Sequence, residues 1–112
     1  MAWRELTTLE QWSETLQGSN NKPVLVLKHS TTCPVSANGL EEYEAFIAKY
    51  PDVELDYALV KVIESRPVSN QIAADLGVKH ESPQVILVKD GASYWNTSHW
   101  SITVAHINAV VN

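Results

Sequence analysis

The sequence has 112 residues, of which 45% are apolar and 19% charged, with four tryptophans and four glycines, so it reads as one globular domain over 1–112 and not as a disordered or fibrous chain. A formal charge of −5 without any block of lysine or arginine excludes the footprint that nucleic acid or an anionic membrane surface demands. No apolar run approaches the ~20 residues of a membrane span and the start lacks a basic-then-apolar leader, so the expected location is cytoplasmic; one cysteine, Cys33, permits neither an internal disulfide nor a zinc-finger cluster.

Leu6, Leu9, Trp12 and Leu16 recur at helical spacing, and Thr8 with Gln11 is placed as a capping box, which predicts a helix over Leu9–Gln17. Gly18-Ser19-Asn20-Asn21 breaks it. Pro23-Val24-Leu25-Val26-Leu27 is a continuous apolar run, the pattern of a central strand covered on both faces. Leu40, Tyr43, Ile47 and Tyr50 then mark a second helix, stopped by Pro51. A second strand begins with the alternation of Val53–Tyr57 and merges into Ala58–Ile63, starting at an edge and running inward. Pro67 suits the first turn of a third, short helix carrying Val68, Ile72 and Leu76, with Gly77 marking its end. Gln84–Lys89, the Asp90-Gly91 turn and Ala92–Asn96 predict an antiparallel hairpin, and Val104, Ile107 and Val111 a last helix. The order α-β-α-β-α-β-β-α is α/β: a mixed four-stranded sheet with helices on both faces, in the thioredoxin-like arrangement.

On this reading Cys33 lies past the carboxyl end of the first central strand, where sites of open α/β sheets gather. Pro34 fits the first helical position, which leaves Cys33 near the helix N-cap, where free N–H groups and the macrodipole favour an anion. The favoured anion is the thiolate, which attacks disulfides and is also a ready leaving group. Ser36 takes the place of the resolving cysteine of C-x-x-C, one helical turn on; its hydroxyl can donate to the sulfur but cannot close a disulfide. The same local features also fit a solvated cysteine in a turn. Pro83, directly before the third strand, suits a strand's first residue.

These residues resemble the monothiol bacilliredoxins of the bacillithiol system. The resemblance rests on Lys28-His29-Ser30-Thr31-Thr32-Cys33-Pro34-Val35-Ser36, on Arg66-Pro67-Val68-Ser69-Asn70 and on Gly77–Gln84, with Thr97–Thr103 similar to the family's end segment. It implies that Cys33 is the catalytic thiol, supported by Thr32, Pro34 and Ser36, and that it removes bacillithiol from protein mixed disulfides. It also implies a cis Pro83 beside the sulfur, with the backbone of Ser82 free to bind an extended substrate. Bacillithiol would be the cosubstrate, bacillithiolated proteins and a reductase system the partners, with no metal or tightly bound cofactor. His29, Arg66, His80 and His99 are candidate contacts to the thiol substrate, although each also suits an ordinary surface or capping role. Trp95 and Trp100 are read as packing aromatics.

Two other functions compete. A peroxidatic cysteine is favoured by Ser30 three residues before Cys33, but the accompanying proline position is Val26. A thioredoxin-like adaptor or iron–sulfur carrier, similar in role to monothiol glutaredoxins, is opposed by Pro34 where such proteins have glycine. A C-x5-R phosphatase is excluded because the arginine position is Gly39.

Overall fold

Each strand that reads as a continuous apolar run must be covered twice, and the chain supplies that cover from alternating helices. The computed structural model describes residues 3–111. Its elements are β1 (Arg4–Glu5), α1 (Leu9–Gly18), β2 (Val24–His29), α2 (Pro34–Lys49), β3 (Asp56–Lys61), α3 (Arg66–Leu76), β4 (Gln84–Lys89), β5 (Ala92–Ser98), a 3-10 turn at His99–Ser101, and α4 (Val104–Val111).

The sheet has five strands in the order β1-β3-β2-β4-β5, one more than the sequence pattern predicts. The added strand is β1, which pairs Arg4 with Ala58 and Glu5 with Leu59 in parallel. It places β3 inside the sheet. β2 runs parallel to β3, whereas β4 is antiparallel to both β2 and β5, so the α/β, thioredoxin-like topology holds.

Because side chains alternate along a strand, β2 divides its residues between two cores. Val24 and Val26 face α1 and α3, where Trp12, Val68 and Ile72 close over them. Leu25 and Leu27 face α2 and α4 and meet Tyr43, Phe46 and Ile107. Tyr43 is fully buried, and its hydroxyl lies 2.7 Å from the Leu25 carbonyl and 2.9 Å from that of Ala58. Helix α2 is thereby tied to both central strands.

At the near end of the first helix the capping box forms as the spacing predicts, with Thr8 Oγ1 accepting from Gln11 N and Gln11 Oε1 from Thr8 N. The hairpin turns through Asp90 (φ 53°) and Gly91 (φ 74°), the left-handed pair that a two-residue connection of this twist requires. This turn is bonded to the end of α1, since Asp90 N donates to the Ser19 carbonyl and Gly91 N to its hydroxyl. It marks the end of the sheet opposite Cys33.

Candidate functional site

Where β2 ends, His29 and Ser30 are still buried, and the chain then turns through Thr31 and Thr32 to the first residue of α2. Cys33 is the N-cap of that helix, with extended φ −109° and ψ 122°, Pro34 following it, and no side-chain capping bond. It is half-buried and its thiol is free. The main chain anchors it on both sides: Cys33 N donates to the Ser30 carbonyl at 3.4 Å, and its own carbonyl receives Ala37 N at 3.0 Å. A thiol held at the start of a helix, at the carboxyl end of parallel strands, is placed for nucleophilic chemistry.

Ser36 lies on the first turn as the spacing predicts, but its hydroxyl is committed elsewhere. It accepts the Ser30 N–H at 2.8 Å and stands 2.9 Å from His29 Nδ1, in a fully buried position. The bond expected from Ser36 to the sulfur is replaced by a clamp between the helix and the strand end. His29 is 7% exposed, and that burial is the largest influence on its imidazole, pushing the pKa below the usual 6.5. Hydrogen bonding at Ser36 and the carboxylates of Glu64 and Glu44 oppose the shift, while Lys61 adds to it. Thr32 is exposed, its hydroxyl 3.3 Å from that of Ser30.

The second segment, Ser82-Pro83, has a cis peptide bond. Pro83 packs against α2 where that helix has no side chain: a Cβ on Gly39 would meet Pro83 Cβ at 3.3 Å and Ile102 Cδ1 at 3.6 Å. The Pro83 carbonyl receives His99 N at 3.0 Å, so the 3-10 turn joins the same end of the sheet. His99 itself has φ 56°, is exposed, and among the described residues its ring bonds to the Ser98 hydroxyl. Trp100 beside it is 65% exposed, which corrects its reading as a packing aromatic, whereas Trp95 does pack, edge-on against His106.

Arg66 is the exposed first residue of α3, and His80 is an exposed residue of the loop that leads to Pro83. The structure adds a residue that sequence reading missed. Lys28, on β2 opposite Gln84, is fully buried, and its Nζ lies 3.2 Å from His80 Nδ1. The one signal for it was a lysine directly continuing the apolar run Val24–Leu27. Burial lowers its pKa from 10.5 to about 8. Ser82 Oγ and Gln84 Oε1, both buried, have no hydrogen-bond partner among the described residues. A cleft of about 410 Å³ by Pro23, Leu55 and Lys89 lies at the other end of the sheet, away from Cys33.

The sequence matches the model of the family described as monothiol bacilliredoxin BrxC over residues 4–107. Among solved structures, a thioredoxin-fold chain assigned as an oxidoreductase is 32% identical with a TM-score of 0.87, covering 99% of this chain and 95% of its own. Thioredoxin from Fasciola hepatica is 18% identical with a TM-score of 0.75, over 96% of this chain and 95% of that one. Mitochondrial thioredoxin 3 from Saccharomyces cerevisiae is 16% identical with a TM-score of 0.73, over 97% and 92%. The latter two share the fold. No helix among the described residues is long and apolar enough to cross a membrane.

Proposed function

Because this chain belongs to the monothiol bacilliredoxin family, a thiol redox family on the thioredoxin fold, we propose that Cys33 takes bacillithiol from protein mixed disulfides and passes it on. The observation that carries this reading is a free, half-buried thiol at the N-cap of α2, at the carboxyl end of β2, in a chain with no second cysteine. A lone sulfur in that place can accept a thiol adduct, and no internal thiol is there to expel it.

The Cys33 thiolate attacks the bacillithiol sulfur of the mixed disulfide. The old S–S bond breaks, its electron pair leaves with the protein's sulfur, and that thiolate takes a proton from solvent. A new disulfide then joins Cys33 to bacillithiol. A second thiol, free bacillithiol or a dithiol reductase, attacks the bacillithiol sulfur and releases Cys33 as thiolate. The helix start at α2, where Pro34 carries no N–H and no side chain caps the turn, leaves the Val35 and Ser36 amides to stabilise that leaving sulfur. The backbone of Ser82, before Pro83, is the element that would hold an extended protein substrate. The Ser36 clamp fixes the turn that carries the thiol.

The test is direct. Wild type and Cys33→Ser are incubated with a bacillithiolated protein, and the adduct is followed by intact mass. The adduct moves to the wild type alone if the reading is right. Failure of transfer with a properly folded wild type would return the chain to the adaptor class.

A further inference from the structure

A buried ammonium normally sits against a carboxylate, because an uncompensated charge in the interior is costly. Lys28 does not. Among the described residues the ion pairs are Lys22–Asp56 and Lys61–Glu5, and the one side-chain partner of Lys28 is the ring of His80. An ammonium has only protons to give, so the Lys28 Nζ donates to His80 Nδ1, which places the imidazole proton on Nε2. The Ser69 hydroxyl lies at 3.5 Å from the same Nδ1. The Nε2–H has no partner among the described residues, and His80 is exposed.

The surroundings of this ring are cationic. Lys28 and Arg66 both push protons off His80, in addition to its burial, and Glu81 alone opposes them. The cross-strand neighbours of Lys28 are neutral, Val60 on β3 and Gln84 on β4, and the hydroxyl that α3 brings to His80, that of Ser69, is neutral too. Gln84 fixes the loop from below by donating Nε2 to the Lys79 carbonyl at 3.0 Å, which leaves its buried Oε1 unpaired. All of these sit at the same end of the sheet as Cys33. Lys28 adjoins His29 at the end of β2, Arg66 opens the helix after β3, and His80 precedes the Pro83 loop by three residues.

A neutral imidazole held with one N–H outward, backed by a buried cation and flanked by a guanidinium, is built to recognise a carboxylate. We propose that Lys28, His80 and Arg66 form an anion-binding arm that grips a carboxylate of the small thiol exchanged at Cys33. In this arm His80 Nε2–H and the Arg66 guanidinium touch the ligand. Lys28 is a positioning residue: it sets the tautomer of His80 and supplies charge from within. The proposal rests on the assignment of Cys33 as the carrier of a small thiol.

Two measurements test it. The first compares mixed disulfides of one peptide with bacillithiol, which is anionic, and with cysteamine, which has no carboxylate. The ratio of the two kcat/KM values should favour bacillithiol in the wild type and fall roughly tenfold in Arg66→Met or His80→Leu, the size of one lost charge-assisted hydrogen bond. A ratio unchanged in both variants overturns the arm. The second uses Cys33→Ser protein, in which no exchange occurs. There the Lys28 side chain is titrated by 13C NMR with reduced bacillithiol and with cysteamine at matched ionic strength. Bacillithiol should raise the Lys28 midpoint from about 8 and cysteamine should not. An unmoved midpoint overturns the arm even where wild type exchanges thiols normally. A raised midpoint in a protein whose wild type performs no exchange upholds the arm and defeats the catalytic reading of Cys33.

Discussion

The Ser36 hydroxyl stands 2.9 Å from His29 Nδ1 and receives the Ser30 N–H at 2.8 Å, so the first turn of α2 is bolted to the end of β2 through one oxygen. Replacing it by a methyl group leaves a buried N–H without an acceptor. Ser36→Ala should therefore cost about 1–3 kcal/mol, read as a lower urea midpoint with unchanged slope. Its thiol exchange should also slow, because the turn that carries Cys33 loses its anchor.

The same pair sets a dependence on acid. His29 is held neutral by burial, with a folded pKa below the unfolded 6.5. As pH falls through that window the unfolded chain binds a proton that the folded chain refuses, so stability declines. Urea titrations from pH 7 to 5 should show a steeper loss for wild type than for His29→Gln.

At the alkaline side the same sign holds, because Lys28 is also a base whose pKa burial lowers. Lys28 titrates at about 8 when folded against 10.5 when free, a gap worth about 3 kcal/mol. Below about 8 both states hold the proton and the folded chain bears the full burial cost; between about 8 and 10.5 the unfolded chain binds more protons, so stability rises with pH. Lys28→Met should be more stable than wild type by roughly 1–3 kcal/mol at pH 7 and should lack this rise. Denaturation at pH 7 and 10 checks both parts.

Gly39 permits the close approach of α2 to Pro83. A branched side chain there has to displace Pro83 or Ile102, which sit 3.3 and 3.6 Å from the first added carbon. Gly39→Val should lower stability by about 1–3 kcal/mol and reduce the rate of thiol exchange, as overpacking shifts the Ser82–Pro83 segment. Chemical denaturation and the bacillithiol transfer assay report the two effects separately.

Glu42 on α2 receives the Val104 N–H through Oε1 at 3.0 Å, which places a carboxylate at the start of α4. Glu42→Ala should cost about 1 kcal/mol, and amide exchange in α4 should quicken more than in the sheet.

Much of this architecture was legible in the sequence because Val24–Leu27 and Val85–Val88 are apolar runs too short for helices, and Asp90-Gly91 fixes the turn from the second of these strands to β5. The buried face of the first turns of α2 was less visible. Its buried stripe runs Ser36, Gly39, Tyr43, Phe46, and the first two carry no hydrophobic signal. The strand β1 has two residues, charged and without alternation, so only its pairing with β3 defines it. At the site, the helix-start position of Cys33 followed from Pro34. The partners of Ser36 and of Lys28 did not, since a spacing of one turn cannot say which neighbour a hydroxyl chooses, and a lysine reads as exposed until His80, 52 residues away, is folded onto it.

The two margins of the sheet are unequal, and neither is an inviting template. β1 covers only Ala58 and Leu59 of its neighbour, too short a run to recruit a further strand, and the outer strand β5 is skewed by an irregularity opposite Leu87 and Val88. Fibril growth by strand addition therefore has little to build on while the domain stays folded, and any such assembly would have to begin from chains that have already opened.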